Sequence, residues 1–505
     1  MTTLVQPMPV AVSARPRDSW AAVFALARFE SRRLLLSIPV LAAFAVYIAW
    51  IVWNARDSFG GFPALQDADR ATQSTPLLVG LAVLLSVNLA VLRSRRRDTE
   101  RHFGVLVVST WRRSLAHVLS VVPAALLTAV CVAAQFGWEA LRPGAVGHGS
   151  PGELLVGPLT VLLFGALGVL LARLLKSAFV GPLLVVFFLF FLVLGVAPGD
   201  PESGTRWLTP VVGESSYDTL PSDLLGRPAA WHALYLLGLG LTAGVLAVLA
   251  GGGLRIRTLY AALGGAMALT LTGAVAQSGG EPASLTAARE KATVDPEQDC
   301  VQRGRSTYCA FPEWEPRVGT WAQVVDEVSE LAGGSAHDQP LLVRQRIEAR
   351  YGLSSDGFVE PSGTAHEVTV GTKWGGPRVP EFSSAVAAVL VTGTERAAGE
   401  LCDGRVVTVM WLSLGWQDEP MDELRKVRLD DSITGSAIVL SPTEPLSMSA
   451  GQTDVVRELL TRPKDEVAAQ VKQHWTELTA PGVTTAKAAE LLGVKDITEK
   501  DGCEE

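Results

Sequence analysis

Residues 258–290 read TLYAALGGAMALTLTGAVAQSGGEPASLTAARE. The first part, Thr258–Ala276, carries no charged residue and is close to the roughly 20 apolar residues that a helix needs to cross a bilayer core. The part after Ser278 is polar, with Glu281, Arg289 and Glu290 inside ten residues. The chain changes solvent at this point, and the rest of the sequence falls on either side of it.

Working back from Thr258, six further stretches have the same character: Leu34–Trp53, Thr75–Leu92, Leu115–Phe136, Leu154–Ala172, Phe179–Val196 and Trp231–Ala250. None of these cores holds Asp, Glu, Lys or Arg, each of which costs about 2.5–3.5 kcal/mol at mid-membrane. Seven transmembrane helices are therefore expected. The fold class expected is an all-α polytopic membrane protein with a C-terminal, mostly helical α+β domain outside the membrane. The chain has 505 residues, 48% of them hydrophobic, and a mean hydropathy of +0.28. Residues 1–280 carry 21 Lys/Arg against 14 Asp/Glu, whereas residues 281–505 carry 22 against 37. That reversal assigns the halves to different environments, and the acidic half excludes nucleic acid as an expected partner.

Cations set the orientation. Arg15, Arg17, Arg28, Arg32 and Arg33 precede the first stretch. Arg93, Arg95, Arg96, Arg97, Arg101, Arg112 and Arg113 follow the second, Arg173 and Lys176 the fourth, and Arg255 and Arg257 the sixth. The alternate linkers are acidic, with Asp57, Asp67, Asp69, Glu139, Glu153, Asp200, Glu202, Glu214, Asp218 and Asp223. This predicts a cytoplasmic N-terminus and, after an odd number of spans, an extracytoplasmic C-terminal domain in a multi-pass protein of the cytoplasmic membrane. The expected organisation is an N-terminal segment 1–33, a transmembrane domain 34–277, a linker 278–299 and an outer domain 300–505. The first apolar stretch begins late and has full membrane length, so it is expected to be retained as a span.

Polar groups within the stretches are few. Asn88 is expected to bond between helices, and His117 to sit at the interface near Arg113. Gly240 and Gly244 have the small-xxx-small spacing that lets helices approach. Pro39 and Pro123 are expected to kink their helices, and Pro158 and Pro182 to lie near helix starts. No file of buried carboxylates or histidines runs along the stretches, which leaves ion-driven transport without coupling residues. The sequence contains no G-x-x-x-x-G-K-[ST] loop, so ATP would have to be bound by another chain.

Trp20, Val23, Phe24 and Ala27 recur at helical spacing, with Arg28, Glu30, Arg32 and Arg33 beside them, which is the pattern of a helix lying in the headgroup plane. The segment Ala27–Pro39 (ARFESRRLLLSIP) resembles the opening of permease subunits of type 2 ABC exporters. The linker from Arg93 to Ala116, RSRRRDTERHFGVLVVSTWRRSLA, is similar to the linker after span two in the same family. There a charged patch leads through a short apolar helix to the next span. Ala172–Pro182 and Pro198–Ala230 resemble the family's short inner link and its outer insert.

The resemblance implies a coupling surface for a cytoplasmic ATPase made by Arg97, Asp98, Thr99, Glu100, Arg101, Trp111, Arg112 and Arg113. It also implies an interfacial helix with Trp20, Phe24, Arg28, Glu30, Arg32 and Arg33 at the headgroups. A second permease copy or paralogue and the lipid bilayer complete the implied partners, with ATP and magnesium held by the ATPase and no cofactor in this chain. The expected function is export of an amphiphilic cargo (a lipid, peptide or antibiotic) without enzymatic activity in this chain. The departure from the family's six-span form is the seventh span, which resembles an actinobacterial variant with an appended Cys-rich outer domain. The alternative is a membrane-anchored outer sensor or binding protein without transport.

Of five cysteines, Cys131 lies in an apolar stretch, while Cys300, Cys309, Cys402 and Cys503 all follow the last one. An even number in the half expected to be oxidised argues for two disulfides. Three pairings are open, of which Cys300–Cys309 with Cys402–Cys503 is expected. In this half, helices are expected at Trp321–Leu331, Pro340–Arg350, Gln452–Thr461, Lys464–Leu478 and Thr484–Leu492. Strands are expected at His366–Trp374 and Arg405–Leu412, and a polar linker over Pro282–Asp299. No zinc spacing or nucleophile motif is present.

Overall fold

The computed structural model describes residues 16–57, 63–96, 109–175, 177, 179–193, 204–212, 214, 219–354, 359–372 and 379–495. The chain is mostly helical with a small sheet region. Helix α1 (Pro16–Leu35) leads into α2 (Ile38–Asp57) through a bend of 60°. Ser37 sits in the bend and Pro39 in the first turn of α2. The Ser37 hydroxyl donates to the Leu34 carbonyl at 2.7 Å, which holds the last turn of α1 as the chain changes direction. The short α3 (Leu65–Ala71) precedes α4 (Pro76–Arg96).

Next come α5 (Thr110–Leu119) and α6 (Val122–Ala140), separated by a turn at Ser120 with Pro123 just beyond it. Pro39 and Pro123 thus mark breaks, as expected. Helix α7 (Pro151–Leu174) starts seven residues before Pro158, which places that proline inside the helix rather than near its start. Helix α8 is described over Val180–Val193, α9 spans Ala229–Val248 and α10 spans Arg257–Ser278. A five-residue π-helical segment, Leu249–Gly253, ends α9 with Gly252 at a φ of +108°, a backbone state that glycine adopts without penalty.

Among the described residues, five helices are long and apolar enough to cross a membrane, or six with the bent α1–α2 pair. The apolar stretches read from the sequence are mostly helical where described, with breaks at Leu36–Ser37 and at Ser120–Val121. Helix α7 is the centre of this half and packs on α4, α6 and α9. Its contact with α4 is close because Gly168 faces the Leu84 backbone. A Cβ on residue 168 would lie 2.6 Å from the Leu84 carbonyl oxygen. Helix α10 packs on α9 in the same way: a Cβ on Gly273 would meet the Tyr235 backbone nitrogen at 2.6 Å. Most of α10 is otherwise exposed, including Met267, Leu271 and Val275.

Residues 283–294, read as a polar linker, form helix α11 (Ala283–Val294). The sequence there, ASLTAAREKATV, is rich in strong helix formers. Its Arg289 is buried and donates to the carbonyls of Leu224 and Leu225 at 2.7 and 2.8 Å, and to Glu281 at 2.5 Å. The hairpin β1 (Asp299–Arg303) and β2 (Ser306–Ala310) follows, then α12 (Val318–Leu331), β3 (Leu342–Gln345) and β4 (Glu367–Val370). The sheet order is β1-β2-β3-β4, antiparallel at the hairpin and parallel after it.

Pro340–Arg350, expected as helix, therefore supplies strand β3. Pairing with β2 on one side and β4 on the other overrides its weak helical period. Strand β4 falls inside the expected 366–374. The elements α13 (Val379–Thr392), α14 (Glu395–Gly399), α15 (Arg405–Leu414) and α16 (Pro420–Val427) come next. Arg405–Leu412, expected as strand, is thus helix. A second hairpin, β5 (Ala437–Val439) with β6 (Leu446–Met448), precedes α17 (Ala450–Thr461), α18 (Lys464–Gln473), α19 (Trp475–Leu478) and α20 (Thr485–Leu491). Helices α17 and α20 match the expected ones, while the single helix expected over Lys464–Leu478 is broken at His474 into α18 and α19. A capping box starts α17, with Ser449 and Gln452 bonding each other's backbone amides.

The C-terminal core is built on Trp314, Trp321, Phe382 and Trp411, all fully buried. It does not stop at residue 281. Val146, Trp207, Val212, Leu220, Leu224 and Leu225, from loops between the apolar helices, belong to the same hydrophobic cluster.

Candidate functional site

Chemistry-bearing side chains gather at two ends of the helical half. At the arginine-rich end, α1 lies against α5. Val23 and Ala27 of α1 are buried against Ala116 of α5, with Leu26, Leu115 and Leu119 around them. Trp20 and Phe24 stay exposed, as does Phe29. The Trp20 ring meets Trp111 edge to face, with centroids 6.3 Å apart at 76°. The guanidinium of Arg112 lies over the Trp111 ring at 5.1 Å, and Arg33 lies over Phe29 at 5.6 Å. Both are cation–π distances. The structure therefore brings Trp20 of the expected interfacial helix together with Trp111 and Arg112 of the expected coupling surface. Arg97, Asp98, Thr99, Glu100 and Arg101 lie outside the described residues.

Glu30 is the buried member of this group, 8% exposed, while Arg28, Arg32 and Arg33 on the same helix are exposed. Its Oε1 accepts from Arg93 of α4 at 3.3 Å. Its Oε2 is buried without a partner. Ser37 and Ser86 are 3.1 Å apart between their hydroxyl oxygens, a second polar tie between the α1–α2 bend and α4. Beside these groups, inside the bend, is a cavity of about 550 Å3. Arg32, Arg33, Arg93 and Glu30 supply its charge, Ser37, Ser86, Ser120 and His117 its neutral polar wall, and Phe29, Leu34, Leu36, Val87 and Ala90 its apolar wall. His117, expected at an interface, is half-buried on that wall. Asn88, the residue after Val87, donates to the Gly168 carbonyl at 3.2 Å and so links α4 to α7 as expected.

At the opposite end, the helical half joins the C-terminal region through buried charge. Arg227 is the hub. Its Nε and Nη2 fork onto Glu214 at 2.9 and 2.8 Å, and its Nη1 donates to the Gln66 carbonyl at 2.7 Å and reaches Asp69 at 3.4 Å. The Arg227 side chain is only 6% exposed. Asp69 also accepts from the Ser150 amide at 2.7 Å, and Gln73 donates to Glu153. Glu313, from the C-terminal region, accepts from the Ser222 amide at 3.1 Å and from Gln66 at 3.4 Å. Arg317 donates to the Gly144 and Thr372 carbonyls. Its burial holds its pKa down at about 10.

The sequence reading counted Asp67, Asp69, Glu153 and Glu214 as acidic flanks and missed this junction. The available signal was Arg227, a rare cation in linkers otherwise acidic, which in such company needs a partner.

Cys300 and Cys309 are bonded across β1 and β2, where they stand directly opposite in register. Cys402 is disulfide-bonded as well, and Cys503 lies outside the described residues. Cys131 is a free thiol in α6. Among the described residues, no group of three or more His, Cys, Asp or Glu side chains is placed to hold a metal ion. Comparison with models of known protein families finds no match, and a search of curated proteins also finds none.

Proposed function

We propose that this chain is the membrane-spanning subunit of an ATP-driven exporter of the type 2 ABC class. On this reading seven helices cross the cytoplasmic membrane, with the arginine-rich end inside the cell and the C-terminal region outside. A separate cytoplasmic ATPase binds ATP and magnesium, two permease chains form the translocating unit, and the cargo is amphiphilic.

One observation carries the proposal: the packing of α1 on α5, sealed by Trp20 on Trp111. A motor that hydrolyses nucleotide in the cytosol needs a firm surface to push and a rigid route from that surface into the spans. Helix α5 provides both. Its N-terminal end presents Trp111 and Arg112, residue types that anchor interfaces. Its other end continues through Ser120 into α6, and its Ser114 lies against Gly251 of the π-helical segment closing α9. A push on Trp111 would thus reach α1, α6 and α9 together.

The test is co-purification with an ATP-binding-cassette subunit followed by ATPase measurement in lipid nanodiscs. Trp111→Ala with Arg112→Ala is expected to leave the chain folded and to uncouple nucleotide hydrolysis from cargo movement. Capture of no ATPase, or unchanged coupling in that variant, would overturn the proposal in favour of an anchored outer binding protein.

A further inference from the structure

The cavity inside the α1–α2 bend has an occupant that its lining specifies. Three guanidinium-bearing residues, Arg32, Arg33 and Arg93, line it against a single carboxylate, Glu30. Among the described residues, the cation paired with that carboxylate is Arg93. Arg32 and Arg33 are exposed, Arg33 with one guanidinium face over the Phe29 ring. The cavity thus favours a single compact anion, and planar guanidinium groups suit phosphate oxygens in particular. Glu30 sets the balance of charge: it offsets Arg93, to which it is bonded, and leaves two further guanidinium groups on the wall. The occupant therefore carries a phosphate.

The third element is apolar. Phe29 and Leu36 line the cavity, are more than half exposed, and lead onto Ile38 and Leu41 of α2, which are also exposed. A soluble phosphate has no use for that strip, whereas an acyl chain does. We propose that this cavity binds an anionic glycerophospholipid, of the phosphatidylglycerol kind. The phosphate lies among Arg32, Arg33 and Arg93, and an acyl chain runs along Leu36, Ile38 and Leu41. This rests on the membrane orientation proposed above, which puts the bend at the inner headgroup level, but not on the exporter role. The bound lipid would brace the bend through which α1 meets the membrane.

The full chain, purified in mild detergent without any ATPase, is offered equal amounts of phosphatidylglycerol, phosphatidate and phosphatidylcholine with the same acyl chains. Retained lipid is counted by native mass spectrometry. One phosphatidylglycerol per chain is expected, preferred about thirtyfold over phosphatidylcholine, the scale set by two arginines at a membrane surface. Arg32→Gln with Arg33→Gln is expected to bring that preference close to parity, and both side chains are exposed, so the fold is spared. Glu30→Gln, which removes the one carboxylate on the wall, is expected to keep both phosphatidylglycerol and phosphatidate above phosphatidylcholine. Equal retention of all three lipids by the native chain would overturn the proposal. So would displacement of phosphatidylglycerol by millimolar inorganic phosphate, which would assign the cavity to a soluble anion. Because no ATPase is present, failure here leaves the exporter reading untouched, and loss of ATPase coupling leaves lipid retention intact.

Discussion

Asn88 donates its side-chain amide to the Gly168 carbonyl across 3.2 Å, in the same helix pair where Gly168 lets α4 and α7 approach to backbone contact. The bond and the close approach belong together, because the amide reaches that carbonyl only when no side chain stands between the helices. They make separable contributions. Asn88→Ala removes one interhelical hydrogen bond, worth about 0.6 to 1.7 kcal/mol in a membrane bundle. Gly168→Ala drives a methyl into the Leu84 carbonyl and is expected to cost more, about 1–3 kcal/mol. Thermal unfolding in nanodiscs should rank Gly168→Ala below Asn88→Ala. The reverse order would mean that α4 and α7 do not meet at Gly168.

Arg227 should be the most sensitive residue at the junction. Arg227→Met leaves Asp69 buried without that cation and Glu214 paired with Arg70 in place of two arginines, and breaking such a buried pair costs about 3–5 kcal/mol. Arg227→Lys keeps the charge but not the fork, and should fall between that variant and the native chain. The measurement is the unfolding midpoint, with limited proteolysis between residues 281 and 299 as a second readout. A native-like Arg227→Met would show that the junction is not held by charge.

Glu395 gives a dependence on pH. It is buried, and burial raises its pKa above the ordinary 4.5, against the pull of the Ser362 and Thr369 amides, the Thr369 hydroxyl and Arg346. A carboxyl whose folded pKa is raised favours the fold when protonated. That contribution is complete below the unfolded pKa and is lost as the pH climbs through the folded one. Native protein should therefore lose stability over that climb, while Glu395→Gln, which cannot ionise, should show a flatter profile. Parallel profiles for the two proteins would contradict the assignment.

The bond between Cys300 and Cys309 closes a loop of sequence separation nine. On the chain-entropy model such a short loop is worth somewhat under 3 kcal/mol. Cys300→Ser with Cys309→Ser should lower the stability of the hairpin by that order and leave the α4–α7 contact unaffected. The check is hydrogen exchange, in which faster exchange should be confined to β1, β2 and their neighbours.

Orientation is checked with one introduced cysteine at a time in a Cys131→Ala background, each compared with that background alone. Glu297 has a side chain 85% exposed, and Leu254, beside Arg255 and Arg257, is 63% exposed. A membrane-impermeant maleimide applied to intact cells should label Glu297→Cys and spare Leu254→Cys. Labelling at 254 but not 297 would invert the topology and withdraw both proposals.

How much of this was legible in advance depended on what fixes each element. The long apolar stretches were readable because composition alone forces them: backbone groups in an apolar medium must bond within their own helix. Spacing put Trp20, Val23, Phe24 and Ala27 together on α1, but packing divides them: Val23 and Ala27 are buried against α5, while Trp20 and Phe24 are exposed. The C-terminal region was harder. Helix α15, RVVTVMWLSL, is apolar on nearly every side and rich in valine, so its periodicity did not separate helix from strand. Helix α13 was missed for the same reason, being buried almost throughout. Strand β3 is set by its two neighbours, which no local pattern displays. The cavity and the Arg227 hub are assembled from residues far apart in the chain, as with Glu30 and Arg93, and only packing brings them together.

The hydrophobic cluster shared between the loops and the C-terminal region sets a practical limit on how this chain is dissected. Truncation after Ser278 would strip the cover from Trp207, Leu220 and Leu224 and leave a greasy scar facing water. The excised fragment would carry the matching wound around Trp314. Neither half is a cassette to be swapped into a relative or expressed for its own sake. A graft that respects the architecture must carry the inter-helical loops along with the region that caps them.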